Sequence, residues 1–131
     1  MIPVTQTLLH DPDNDIRGNC LQACLASIFE DDIENIPHFV EYTGADWFDR
    51  MNRWLIENKQ CYILAITDWD KANHIFHGYS IMNGTSPRGV KHSVVAYNNQ
   101  MIHDPHPDNN GLVGEVETYW IFVNTFGESN G

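Results

Sequence analysis

Basic residues are scarce in this sequence. Its 131 residues include only seven Lys and Arg against eighteen Asp and Glu, which gives a formal net charge of −11 at pH 7. No basic stripe is visible, and sequence-independent binding to nucleic acid needs one. Nucleic acid is therefore not an expected partner, and the acidic surplus favours solubility or a basic protein partner.

Long hydrophobic runs and cysteines are also few. No apolar run approaches the roughly 20 residues that a membrane-spanning helix needs, and the first residues lack the basic and apolar regions of a signal peptide. Three cysteines are too few, and odd in number, for a disulfide framework. These absences predict a cytoplasmic protein with no membrane partner.

The rest of the composition is typical of a folded globular chain. Hydrophobic residues make up 42% and charged residues 19% of the sequence, which is enough apolar content for one core at this length. The sequence contains no linker, internal repeat or low-complexity tract. Residues 1–131 are therefore expected to form a single domain.

Helical patterns lead the chain and strand patterns follow. Apolar periodicity predicts helices over residues 20–30 and 46–59. Helices first and strands after indicate the α+β class, with a buried N-terminal helix packed on a mostly antiparallel sheet. Alternating or β-branched runs predict a short edge strand at 2–9, a buried strand at 61–67, and further strands at 76–83, 91–97, 101–105 and 117–124.

The first predicted helix begins at a cysteine. Turn-forming residues run up to Asn19, the predicted N-cap, and an almost wholly apolar stretch starts at Cys20. A thiol attacks as the thiolate, and a helix N-terminus and a neighbouring histidine both lower its pKa. Cys20 is therefore the candidate nucleophile. Cys24, one helical turn later, and Cys61, at the start of a strand, are expected to be structural.

A thiol nucleophile needs a base, and the base needs an orienting group. His92 opens an otherwise apolar strand and Asp104 ends the next one, so these two are the candidates. Their geometry depends on the hairpin turn at Asn98-Asn99. A two-residue turn would point them to opposite faces, whereas an odd-length loop or a β-bulge would put them on the same face. The turn residues favour neither arrangement.

These motifs resemble a known family. Three patches, Cys20-x-x-x-Cys24-Leu-Ala-x-Ile, His92-x-Val-Val and Asp104-Pro105, are similar to papain-like cysteine hydrolases, nearest to the C39-like, bacteriocin-processing type of peptidase. The layout also resembles small phage-encoded proteins of this fold. The resemblance implies a papain-like fold, with Cys20 as nucleophile, His92 as general base and acid, and Asp104 as the residue that orients His92.

Two positions depart from the family pattern. The family has a glutamine six residues before the cysteine, where it helps to form the oxyanion hole, and this chain has Asn14 there. The family usually has Gly directly after the cysteine, and this chain has Leu21. The resemblance therefore makes Asn14, with its shorter amide, the candidate oxyanion residue beside the Cys20 backbone N–H.

The motifs leave three functions open. The first is a cysteine-dependent hydrolase that cleaves a peptide, isopeptide or other amide bond without a cofactor. The second is a catalytically inert binding protein on the same scaffold, which would block a protein partner or sequester a small ligand, and the two departures motivate it. The third is a metal-dependent enzyme using His103, Asp104 and His106, although these residues lack the pair spacing typical of zinc sites.

Overall fold

A computed structural model describes residues 1–41, 44–67 and 77–126 of the chain. Within these ranges there are two α-helices, α1 (Cys20–Phe29) and α2 (Trp47–Lys59), and two short 3₁₀ turns, Pro12–Asn14 and Ile33–Asn35. The strands of these ranges are β1 (Cys61–Ile66), β2 (Tyr79–Thr85), β3 (Lys91–Tyr97), β4 (Gln100–His103) and β5 (Val113–Asn124).

The five described strands form one antiparallel sheet in the order β1-β5-β2-β3-β4. The last of these strands, β5, therefore lies inside the sheet between β1 and β2, and β1 and β4 are the edges among the described strands. The helices precede the sheet in the chain, as the sequence predicts. The α+β class, the antiparallel sheet and the two helices are confirmed.

One hydrophobic cluster joins both helices to one face of the sheet. Leu25 of α1, Met51 and Leu55 of α2, and Ile81 and Val95 of the sheet are all fully buried in it. Burial of one such side chain stabilises the fold by about 1.5–3 kcal/mol. The packing holds α1 against β3, so the helix start and the strand start have a fixed relation. A smaller cluster on the opposite face contains Met82, Val94 and Ala96.

The predicted strand at residues 2–9 does not form. Val4 donates its N–H to the Ser27 hydroxyl (2.9 Å), and Gln6 donates its N–H to the Pro105 carbonyl (2.9 Å). The backbone of this segment therefore bonds to a helix side chain and a loop instead of a neighbouring strand. A short run of β-formers cannot reveal such distant partners.

Other strand predictions need smaller corrections. The first strand, β1, is an edge strand and is not buried throughout, since Leu64 is 49% exposed. Gly84 continues β2 to Thr85, beyond the predicted end, and β5 begins at Val113, ahead of residue 117. Residue 76, the predicted polar connection at 68–74 and the tail at 127–131 lie outside the described residues.

The three cysteines are all free thiols, and they differ in burial. Cys24 and Cys61 are buried, as expected of structural residues, whereas Cys20 is partly exposed at the start of α1. No helix in the described ranges is long and apolar enough to cross a membrane.

Candidate active site

Asn19 connects the start of α1 to the N-terminal segment. It is only 2% exposed, and its side chain does not cap the helix. Instead its Oδ1 accepts the backbone N–H groups of Thr7 (3.0 Å) and Leu8 (2.8 Å), and its Nδ2 donates to the Thr7 hydroxyl and the Gln22 side chain. The predicted N-cap position is thus right but its role is different, because Asn19 holds residues 6–8 beside Cys20.

The Cys20 sulfur lies against the start of β3. The backbone N–H groups of Ser93 and Leu21 donate hydrogen bonds to it. Ser93 directly follows His92 in β3, and both residues line the same cleft as Cys20. Cys24 occupies the buried position one turn later, where its thiol donates to the Ser93 carbonyl (3.4 Å).

The pKa of the Cys20 thiol is raised, contrary to the lowering that its helix position suggests. Burial is the largest cause and raises the pKa; the hydrogen bonds from Ser93 and Leu21 lower it only in part, and the negative charge of Asp104 raises it further. The resting side chain is therefore a neutral thiol at neutral pH. Any attack by this sulfur needs a base that removes its proton.

The hairpin between β3 and β4 combines a two-residue turn with a β-bulge. Tyr97 pairs with Gln100 across Asn98 and Asn99, which both have positive φ (49° and 71°), as a type I′ turn requires. The register then shifts by one residue at Ile102, so that Val95 pairs with His103. The bulge moves Asp104 onto the face of His92. The condition for a His92–Asp104 pair is therefore met by the bulge and not by the turn.

His92 and Asp104 form a buried pair. The distance from His92 Nε2 to Asp104 Oδ1 is 2.6 Å, and the two residues are 5% and 3% exposed. Asp104 Oδ1 also accepts the His106 N–H (2.9 Å), and its Oδ2 accepts the Gly111 N–H (2.8 Å). Burial alone would raise the pKa of Asp104, but these hydrogen bonds outweigh it and the pKa is lowered. The carboxylate is therefore ionised at neutral pH.

Asp104 determines which nitrogen of His92 is basic. Burial lowers the pKa of His92, and the hydrogen bond to Asp104 and its charge offset this only in part. The imidazole is then neutral at pH 7, and its proton must lie on Nε2, where the carboxylate accepts it. The other nitrogen, Nδ1, keeps its lone pair and is the atom that can accept a proton.

We expect acid to destabilise the fold through His92. Its pKa is lower in the folded protein than the value of about 6.5 in an unfolded chain. The unfolded state therefore binds a proton first, and the contribution of His92 to stability is present above about pH 6.5 and is lost as the pH falls below it. Asp104, whose folded pKa is also lowered, adds a further loss below about pH 4.

Urea unfolding between about pH 7 and about pH 5 measures this effect. His92→Gln should flatten the decline in the free energy of unfolding relative to the wild type. His10, which is exposed, is the matched control, and His10→Gln should keep the wild-type slope. Identical slopes for the wild type and His92→Gln would contradict the buried neutral state of His92.

Cys20, His92 and Ser93 line the same open cleft, which has a volume of about 1060 Å³. The lining also includes the apolar side chains of Leu21, Val40, Trp47 and Trp120. The structure thus brings together the candidate nucleophile and the candidate base–orienter pair in a space large enough for a substrate.

Asn14, the candidate oxyanion residue, is not part of this cleft. It is exposed in the loop before α1, and its Nδ2 donates to Asp11 Oδ2 (2.7 Å). The lining of the cleft includes its neighbours Pro12 and Asp15 but not Asn14 itself. The short asparagine side chain is held in its own turn, so the residue that the family resemblance makes the oxyanion candidate does not line the cleft.

Gln6 is the amide that lies at the site, and the sequence analysis missed it. Gln6 lines the cleft and is 8% exposed. Its Nε2 donates to the Leu8 carbonyl (2.8 Å), and a Cβ placed on Gly18 would come within 3.3 Å of this nitrogen. Gly18 therefore leaves the room that Gln6 needs beside the helix start. No sequence signal indicates this, because Gln6 lies far upstream of Cys20 in a segment that was predicted to be a strand.

The residues of the proposed metal set are engaged elsewhere. His103 Nε2 donates to the Val4 carbonyl (2.7 Å), and both carboxylate oxygens of Asp104 already accept hydrogen bonds. Over residues 1–41, 44–67 and 77–126 no group of three His, Cys, Asp or Glu side chains is placed to hold a metal ion. The geometry therefore gives the metal-dependent alternative no support.

Comparison with protein-family models, with curated proteins and with solved structures found no match to this chain. The resemblance to papain-like hydrolases thus stays a prediction that rests on three short motifs.

Proposed function

We propose that this protein is a cysteine-dependent hydrolase of amide bonds, in which Cys20, His92 and Asp104 act as a catalytic triad. The observation that carries the proposal is the buried His92–Asp104 pair, whose histidine lines the same cleft as the partly exposed Cys20 thiol. Structural histidines do not need an ionised, triply hydrogen-bonded carboxylate. A base whose tautomer must be held does need one.

The first step is attack of Cys20 Sγ on the carbonyl carbon of the substrate. Because the thiol is neutral at rest, His92 Nδ1 takes its proton as the S–C bond forms. The imidazolium that results is stabilised by Asp104, which accepts the Nε2–H throughout. The proton then passes from Nδ1 to the leaving nitrogen, the C–N bond breaks, and an acyl-enzyme remains on Cys20.

Deacylation uses the same residues in reverse. His92 Nδ1 takes a proton from water as the water oxygen attacks the thioester carbonyl. Collapse of the tetrahedral intermediate breaks the C–S bond, releases a carboxylic acid and returns the proton to Cys20. Each turnover therefore consumes one water and needs no cofactor.

Gln6 is the side-chain candidate for stabilising the oxyanion. A carboxamide nitrogen carries two N–H donors, and the Leu8 carbonyl accepts one of them. The second is available to a developing oxyanion in the cleft that Gln6 lines. The backbone N–H of Cys20 is the other donor that the helix start offers.

An inert binding protein is the second candidate function. The raised pKa of Cys20 favours it, because a thiol that acts only as a packing group needs no ionisation. The exposed position of Asn14 also favours it, since the expected oxyanion amide is absent from the cleft. The two candidates differ in whether His92 activates the sulfur.

Alkylation of Cys20 by iodoacetamide near pH 7 tests this difference. If His92 accepts the thiol proton, His92→Gln should slow the modification about tenfold or more. Intact-mass measurement and peptide mapping would distinguish modification of Cys20 from modification of the buried Cys24 and Cys61. His10→Gln, a histidine on the rim of the same cleft, should leave the rate unchanged. Equal rates for the wild type and His92→Gln would refute the hydrolase and favour the binding protein.

A further inference from the structure

Asn83 carries an unused hydrogen-bond donor on the floor of the cleft. It lies in β2 and pairs with Ser93 of β3 and Thr118 of β5, so it belongs to the interior of the sheet. Its Oδ1 accepts the Ser93 hydroxyl (2.5 Å). Its Nδ2 is buried and has no partner among the described residues, although the side chain lines the cleft. Buried donors are nearly always paired in folded proteins, so an exception inside a cleft points to a missing acceptor.

Ser93 connects this donor to the nucleophile. The Ser93 backbone N–H donates to the Cys20 sulfur, and the Ser93 hydroxyl donates to Asn83 Oδ1. The unpaired Nδ2 is therefore only one residue removed from the reacting atom along the cleft floor. A substrate held at Cys20 would extend past it.

Aromatic side chains flank this position. Trp120 of β5 and Trp47 of α2 both line the cleft, with ring centroids 5.9 Å apart. Trp120 belongs to the face of the sheet that Asn83 also occupies, because Ile81, two residues before Asn83, pairs with it. The site thus combines one neutral N–H donor with an apolar wall of two indole rings, which are tilted by 44° to each other.

We infer that Asn83, Trp47 and Trp120 form the substrate subsite next to Cys20, which takes an aromatic or large apolar residue of a peptide. Asn83 Nδ2 donates to a main-chain carbonyl beside the scissile bond, and the substrate side chain packs on the two tryptophans. This inference rests on the proposed hydrolase function and specifies its substrate class.

The charges of the cleft favour a neutral acceptor over an anion. Lys91 and Arg88 line the cleft, but Lys91 is paired with Glu117 (2.5 Å) and Arg88 with Asp108. The chain as a whole carries a net charge of −11, which repels anionic ligands. A main-chain carbonyl satisfies the buried donor without bringing in charge.

Two chloromethyl ketones that differ only in the side chain test the subsite. N-acetyl-phenylalanyl and N-acetyl-glycyl chloromethyl ketone alkylate the sulfur with loss of chloride, and both present the acetyl carbonyl to Asn83. Each rate constant is divided by that for 4,4′-dithiodipyridine, a reagent with no peptide group, which removes changes in thiol ionisation. We expect the phenylalanyl reagent to react about tenfold faster with the wild type.

The variants separate the donor from the aromatic wall. Asn83→Asp keeps an acceptor for Ser93 and removes the donor, and it should lower both normalised rates about tenfold. If the carboxylate introduced by Asn83→Asp prevents folding, Asn83→Leu replaces it and should lower both normalised rates to the same extent. Trp47→Ala should reduce the phenylalanyl preference to below about threefold while sparing the glycyl reagent. Ser80 is the control, because it is also a buried polar residue of β2 but does not line the cleft. Ser80→Ala should change neither rate.

Different results would contradict the subsite and the proposed hydrolase function. A wild-type Cys20 that reacts with dithiodipyridine but shows no phenylalanyl preference, or Asn83 variants with wild-type normalised rates, would overturn the subsite alone. A Cys20 that reacts with none of the three reagents would overturn the hydrolase and the subsite together.

Discussion

Replacing Cys20 with Ala is expected to abolish amide hydrolysis while the fold stays intact. Without the sulfur no acyl-enzyme forms, and loss of a triad nucleophile typically lowers kcat by about 10³–10⁶-fold. The side chain is partly exposed and is held by hydrogen bonds to Ser93 and Leu21, so its removal should cost no more than about 1 kcal/mol of unfolding free energy. Turnover of fluorogenic peptidyl amides and urea unfolding measure the two quantities.

Cys24 offers the matched control, because it is the same residue type one turn further along the helix. It is fully buried in the core between α1 and β3. Cys24→Ala should keep turnover within about threefold and lose about 1 kcal/mol or more of stability. Cys20 is thus expected to be needed for turnover, and Cys24 is expected to contribute to stability. Undiminished turnover in Cys20→Ala, or loss of turnover in Cys24→Ala alone, would contradict this assignment.

Substitution of Asp104 is expected to have the second largest effect, on both stability and activity. Three donors meet its carboxylate: the His92 ring and the backbone N–H groups of His106 and Gly111. Asp104→Ala leaves all three without an acceptor in a buried site, and we expect a loss of about 3–5 kcal/mol of unfolding free energy. Urea unfolding near pH 7 measures it.

Asp104→Asn separates the role of Asp104 in orienting the His92 ring from its role in the stability of the fold. The amide keeps one acceptor oxygen and the shape of the side chain, but it cannot accept from every donor and no longer favours the proton on His92 Nε2. We expect a folded protein whose kcat is lowered about 10³-fold or more, as for an orienting residue that holds the wrong tautomer. The pH–rate profile should also change, because the His92 imidazole would no longer be hydrogen-bonded to a carboxylate.

Asp108 is the control for both variants. It lies four residues later in the same loop, pairs with Arg88, and keeps about a quarter of its side chain exposed (27%). Asp108→Asn should leave the free energy of unfolding close to the wild-type value, because ion pairs near the surface contribute little to stability. An Asp104→Ala protein as stable as the Asp108 variant, or full turnover in Asp104→Asn, would refute the role assigned to the buried pair.

Local sequence patterns predicted the helices and the hairpin well. An apolar stretch begins at Cys20, and two aspartates follow Glu30, where they are unfavourable at a helix C-terminus. This pattern predicts a buried helix that ends near Glu30. The spacing of Met51 and Leu55 likewise marks the buried side of α2. These elements are determined by neighbours within a few residues, so sequence reasoning reaches them.

The N-terminal segment shows where such reasoning ends. Its β-formers suggest a strand, but its backbone groups bond to Ser27, Asn19 and Pro105. These partners come from a helix, a cap position and a distant loop. Gln6 of this segment lines the cleft, whereas Asn14 is bonded to Asp11 in its own turn and does not line it.

The sequence by itself determined the candidates Cys20, His92 and Asp104, the α+β class and the condition under which His92 and Asp104 can meet. Only the tertiary structure decided that they do meet. The Asn98-Asn99 turn alone would have kept them apart, and the bulge at Ile102 brings them together. Bonds to residues outside the hairpin accompany that bulge, from His103 to Val4 and from Gly111 to Asp104, and local sequence does not reveal them. The pKa of Cys20 was decided in the same way, because burial in the assembled cleft outweighs the helix start that the sequence displays.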